Sequence, residues 1–274
     1  MMPDQTPTAN IIHPTPAGYV EYEIDIERVL RSDLPIVLDR VPIAPLVETS
    51  VLAIPQGAKG AYVLFEGGRP VYAGKTDTRH GFRERLGRHA LTIQHRMNLD
   101  PGAIGFKAIR ILVFSNFDVE AILMRALRDA DPTALVWNAS GFGSNDPGHR
   151  RETQEPADFD KQRPIDIDRP LEIQTGSYPV LGVLVNLKNR LPYTFRFQTD
   201  LREGTDKPQR FNVGHVDYRS APSITLGEQD TVRSVLQTVL NALPPGWRAT
   251  VFPDRVILYK EPHTFPFARG VIAR

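Results

Sequence analysis

The sequence predicts an α+β protein: a small mixed or antiparallel sheet flanked by helices, then a second, C-terminal α+β domain. Three observations point there. Two short apolar runs, Tyr62 to Phe65 and Val71 to Gly74, flank Gly67-Gly68, a pair suited to the positive φ values of a tight hairpin turn. Helical periodicity follows at once, with Phe82, Leu86, Ala90, Ile93 and Met97 on one stripe. Beyond residue 172 the composition changes, and strand-like runs surround one amphipathic segment, Asp230 to Leu243.

Taken in order, residues 1–50 read as an arm and lead-in, broken by Pro35, Pro42 and Pro45, with a weak helix near Ile24 to Leu30. Residues 51–151 form the first domain. In its hairpin, Tyr62, Leu64 and Glu66 alternate with Val63 and Phe65. A helix is expected from about Arg79 to Met97, and a third strand over Phe106 to Phe114. Asp118 is placed to cap a helix over Val119 to Ala130, which turns Ile122, Leu123, Ala126 and Leu127 inward. Val136-Trp137-Asn138 leads into a glycine-rich loop, Gly141 to Arg151, and residues 152–172 read as a charged linker. In the C-terminal domain, residues 173–274, strands are expected at Val180 to Leu187, Tyr193 to Gln198 and Arg210 to Val216. A hairpin is expected across Pro253-Asp254.

The 274 residues include no cysteine, which excludes disulfides and thiolate metal sites. No apolar run approaches the roughly 20 residues of a membrane span, so no membrane partner is expected. The polar start, Met1 to Pro16, lacks the order of a secretion signal, and a cytoplasmic location is expected. Net charge is only +1, but from Lys75 to Arg110 eight Lys/Arg face three acids. Such concentration is the footprint of a phosphate-backbone binder, and equally of a solvated helix face.

Gly60-Ala61-Tyr62 and Tyr72-Ala73-Gly74, with Arg85 and His89 four apart on the next helix, Glu120 opening a later one and Asn138 after it, form an ordered series. In this the chain resembles the GIY-YIG endonuclease superfamily, over roughly residues 50–165. Alanine stands where both motifs carry isoleucine. The resemblance implies one catalytic site made of Tyr62, Tyr72, Lys75, Arg85, His89, Glu120 and Asn138. Glu120 would be the ligand of a single Mg²⁺ (or Mn²⁺), Arg85 a clamp on the scissile phosphate, and Tyr62 the general base, as a phenolate of depressed pKa. The same residue types suit phosphodiester hydrolysis on chemical grounds: a carboxylate for a hard cation, a guanidinium for phosphate oxygens, and a group to take water's proton.

The loop after Trp137-Asn138 is similar to that of the family's type II restriction branch. That branch implies a homodimer cutting double-stranded DNA at a short palindrome, a role in phage defence, and a companion DNA methyltransferase. Arg79, Arg83, Arg88, His149, Arg150 and Arg151 are the expected DNA contacts. Two alternatives stay open: a repair or mobile-element nuclease, and a non-catalytic nucleic-acid or protein-binding module on the same scaffold. The C-terminal domain carries no readable signature, beyond seven Lys/Arg against four acids between Lys188 and Arg219.

Overall fold

The computed structural model describes residues 25–77, 79–110, 119–143 and 152–274. The fold is α+β, with two separate four-stranded sheets. The lead-in is more ordered than its prolines suggest. Helix α1 (Ile26–Arg40) starts at Asp25, whose carboxylate accepts from Arg28 N, and it runs through Pro35 without ending. Burial of Leu34 and Leu38 in the same cluster as Ile122 and Leu123 holds it in place. Tertiary packing thus outweighs the roughly 3 kcal/mol that an interior proline costs a helix. The two-residue strand β1 (Ala44–Pro45) and helix α2 (Glu48–Leu52) complete the lead-in.

The first sheet has the order β1-β4-β2-β3 and is antiparallel throughout. Strands β2 (Ala61–Glu66) and β3 (Arg69–Lys75) are the expected hairpin, turning on Gly67 and Gly68 at φ +56° and +83°. Strand β4 (Ile104–Ile109) lies on the other side of β2. It begins two residues before the expected strand, whose end at Phe114 lies outside the described residues. Helix α3 (Phe82–Gln94) is shorter at both ends than expected. Helix α4 (Val119–Ala130) has the expected bounds; Asp118, its expected cap, lies outside the described residues.

The sheet separates two clusters. Ala61, Val63, Phe65 and Ala73 face α1 and α4, while Tyr62, Leu64 and Tyr72 face α3 with Trp137, Phe142 and Phe159. Ala61 and Ala73 are wholly buried, so their small size lets the helical layer close on the sheet.

Residues 152–172 are not a free linker. They contain helix α5 (Asp158–Gln162) and bury Phe159, Ile165 and Ile167. Met97 N donates to Pro164 O and Ile165 N to Pro253 O, both at 2.8 Å. The segment therefore ties the end of α3 to the turn of the C-terminal hairpin.

Strand β5 (Gly176–Tyr178) pairs with β7 (Ile224–Leu226), and neither was expected. Val180 to Leu187, expected as a strand, belongs to helix α6 (Val180–Arg190). An apolar run of eight residues satisfies either period; here Val180, Val183, Leu184 and Leu187 fall on one helical face and are buried. Strand β6 (Thr194–Phe197) matches expectation. Arg210 to Val216 does not form a strand but turns into the short helix α7 (Val216–Ser220). Helix α8 (Val232–Ala242) carries a Thr231–Ser234 capping box. Strands β8 (Trp247–Val251) and β9 (Arg255–Lys260) form the expected hairpin. With β10 (Gly270–Ala273) and β6 they make a mixed sheet of order β10-β8-β9-β6, in which β6 runs parallel to β9.

Candidate active site

The two motif glycines have steric reasons. A Cβ on Gly60 would lie 2.1 Å from Ile109 O, because β4 passes directly against it. One on Gly74 would lie 2.6 Å from Tyr62 Oη and 2.8 Å from Tyr72 Cε1. Tyr62 pairs with Gly74 across the hairpin and Leu64 with Tyr72, so both tyrosines project from one face over that bare backbone. Their ring centroids are 6.2 Å apart.

Helix α3 brings Arg85 and His89 onto that face. Tyr62 Oη and His89 Nε2 are 2.8 Å apart. Phe142 stacks on the imidazole at 5.0 Å and meets Tyr72 edge-on at 5.0 Å. The sequence reading missed Phe142; its place after a glycine in a loop gave no periodic signal. Burial, then the charges of Arg85 and Arg88, push the His89 pKa down to about 3, so the ring is neutral at physiological pH.

Tyr62 differs from expectation. Its burial, followed by the neighbouring Tyr72, raises its pKa well above the tyrosine norm, although Arg85 pulls the other way. A buried phenol disfavours its anion, so the folded chain alone does not supply the expected phenolate. Tyr62 is wholly buried, whereas His89 and Arg85 line the adjoining cleft. Tyr62 therefore bears on the cleft through His89.

Arg85 Nε is buried and has no hydrogen-bond partner. That N–H faces inward, beside Tyr62, while the side chain also borders the cleft, where a guanidinium can donate charge-assisted hydrogen bonds to phosphate oxygens. The Tyr72 pKa is raised by burial and then by the Glu120 carboxylate, which brings the first turn of α4 into the same constellation. Lys75 Nζ stands 3.6 Å from Glu120 Oε2. The Glu120 side chain is 26% exposed, so the carboxylate is within reach of solvent.

Among the described residues no group of three His, Cys, Asp or Glu converges. At this site the carboxylate of Glu120 is the protein group that would hold a cation. That chemistry fits a Mg²⁺ or Mn²⁺ ion held largely through its substrate.

Asn138 has a backbone task. Its Oδ1 accepts from Ala73 N at 2.8 Å and its Nδ2 donates to Ala73 O at 2.9 Å, so it completes the outer edge of β3 beside Tyr72. Arg83 is likewise committed elsewhere: Nε and Nη2 donate to the carbonyls of Ile54 and Leu52 at 2.7 and 2.8 Å. Arg79 and Arg88 are exposed, and Arg88 lines the cleft. His149, Arg150 and Arg151 lie outside the described residues.

The geometry brings together Tyr62, Tyr72, Lys75, Arg85, His89 and Glu120, with Asn138 bracing the strand beneath. No family model matches the chain, and no curated protein matches it. Among the described residues, no helix is long and apolar enough to cross a membrane.

Proposed function

We propose that the protein is a Mg²⁺- or Mn²⁺-dependent endonuclease of GIY-YIG type that hydrolyses phosphodiester bonds in double-stranded DNA. The observation that carries this reading is the convergence of two tyrosines, an arginine, a neutral histidine and one carboxylate beside a cleft. Arg85 holds the phosphodiester through charge-assisted hydrogen bonds and counters charge that builds on its oxygens during attack. Glu120 would hold a divalent ion, which would supply Lewis-acid polarisation of the phosphate.

The His89–Tyr62 pair takes the proton of the attacking water. A new O–P bond forms as the P–O3′ bond breaks, leaving a 5′-phosphate and a 3′-hydroxyl. The proton on that hydroxyl comes from solvent. A bound phosphate offsets the positive charge of Arg85 and Arg88, which favours the protonated imidazole during this step. Lys75, 3.6 Å from Glu120, orients its carboxylate.

The same proposal extends to a restriction or phage-defence enzyme of the cytoplasm, acting as a homodimer with a companion DNA methyltransferase. Plasmid incubated with Mg²⁺ and sequenced at its ends tests it. Cuts at one short palindromic site, with 5′-phosphate ends, are the expected result. Tyr62→Phe strips His89 Nε2 of its partner and is expected to slow cleavage about 100-fold or more, the scale of general acid–base assistance. Turnover near the wild-type rate would remove the pair from the mechanism.

A further inference from the structure

The turn Gly141-Phe142-Gly143 enters the candidate site from the loop after Asn138, yet none of the expected chemical roles falls on it. Gly141 and Gly143 adopt φ of +105° and +75°, a region that glycine enters without the penalty of a Cβ. Phe142, between them, is 6% exposed. Its ring lies 22° from the plane of the His89 imidazole, with the centroids 5.0 Å apart. It also meets Tyr72 at 75° and 5.0 Å.

The phenyl ring is itself held by other neighbours. Trp137 and Phe159 each stand 4.9 Å from it, centroid to centroid. Phe159 N donates to Ser140 O at 2.9 Å, and a Cβ on Gly141 would lie 2.2 Å from the Cβ of Ala157. Helix α5 and the residue before it therefore fix where the turn sits. A histidine χ2 is a broad torsion, so the backbone of α3 alone does not set the plane of the imidazole. A stacked aromatic ring does give it a preferred plane. The 2.8 Å separation of His89 Nε2 and Tyr62 Oη depends on that plane.

We propose that Phe142 is a positioning residue for His89: it holds the imidazole in the plane that joins Nε2 to Tyr62, and it keeps water from the ring. The consequence for cleavage rests on the nuclease reading. Phe142 has no proton to exchange and acts only through His89. A purely core role would lower stability and nothing else, so pH separates the two. The ionisable groups around His89 are Tyr62 and Tyr72 on the hairpin, and Arg85 and Arg88 on its own helix. Asp160, next to Gly141, is paired with Arg96 at 2.8 Å. Burial first, and then the two arginines, push the His89 pKa down to about 3. Removing the phenyl ring admits water to the imidazole, which relieves the first cause and leaves the second.

The test uses the full chain. Phe142→Ala and Phe142→Leu are compared with wild type and with Leu38→Ala, a buried residue in the cluster on the opposite face of the sheet. The Cε1–H resonance of His89, assigned by its loss in His89→Gln, is followed by NMR from pH 8 to 5. Plasmid cleavage with Mg²⁺ gives kcat/KM over the same range. The wild-type ring is expected not to titrate there. Phe142→Ala is expected to bring its midpoint to about 5 or above, and to lower kcat/KM relative to wild type by about threefold or more between pH 8 and 5. Phe142→Leu shifts both in the same direction by less. Leu38→Ala lowers the melting temperature and scales kcat/KM equally at every pH. A His89 ring that stays untitrated in both Phe142 variants, with a constant kcat/KM ratio, would overturn the proposal and leave the nuclease reading intact. A shifted titration with a constant ratio would also overturn it, because the imidazole would then stand outside the reaction. A wild-type chain that cuts no DNA removes the nuclease reading, and the His89 titration alone then decides whether Phe142 positions the ring.

Discussion

His89 shows how one buried side chain joins stability to chemistry. Its ring is 5% exposed, packed between Tyr62, Tyr72 and Phe142, with Arg85 and Arg88 on its own helix. Burial, reinforced by those two arginines, holds its pKa near 3, against about 6.5 in an unfolded chain. Between these values the unfolded chain binds more protons than the folded one. Stability therefore rises with pH across this window and falls on acidification from about 6.5, by up to about 1.4 kcal/mol per pH unit from this group. Carboxylates add slope of the same sign, so the useful measurement is a difference. His89→Gln is expected to show a shallower loss of melting temperature between neutral and acid pH than wild type. Parallel curves would contradict a neutral buried imidazole. Sequence alone could place His89 four residues from Arg85, but not its burial, which depends on Phe142 arriving from a distant loop.

Among the elements, the hairpin was the most legible, because period-two alternation and a Gly-Gly turn specify both pairing and face. One steric constraint on its face is Gly74. A methyl group there meets the rings of Tyr62 and Tyr72, both on the face of the candidate site, within the distances of a clash. Gly74→Ala is expected to displace Tyr62 from His89 and to cost about 1–3 kcal/mol through overpacking. Urea unfolding reads the cost, and cleavage rate reads the displacement; an unchanged midpoint would mean that the sheet opens freely at this position. Helix α4 was legible through Ile122, Leu123 and Ala126, all buried. Helix α6 was not, because Val180 to Leu187 is short, apolar and β-branched, and its period becomes clear only against the sheet that it covers. Asn138 was expected from its order in the motif series, whereas its pairing with both polar groups of Ala73 depends on tertiary approach.

At the scale of the whole molecule, residues 152–172 connect the two halves through backbone hydrogen bonds to Met97 and Pro253. Arg96 and Asp160 form an ion pair with both side chains 10% exposed, and Arg96 also donates to Arg163 O at 3.1 Å. Asp160 is pushed up by burial and pulled down by Arg96. Removing one partner strands the other's charge, a loss of about 3–5 kcal/mol in buried pairs. Arg96→Leu is expected to lower the urea midpoint and to expose residues 152–172 to protease before global unfolding. A wild-type midpoint would show that the halves are held together without this pair. The proline-broken, charged composition of 152–172 concealed Phe159, Ile165 and Ile167, whose burial is visible only once both sheets are in place. In the proposed enzyme these elements assemble one metal-dependent hydrolytic site around Glu120. Glu120→Gln separates chemistry from binding when Mg²⁺-dependent plasmid cleavage is compared with duplex binding in EDTA. Cleavage lost by about 1,000-fold or more, with affinity kept within about twofold, is the predicted result for removal of a metal ligand that polarises the phosphate. Cleavage at the wild-type rate would contradict it.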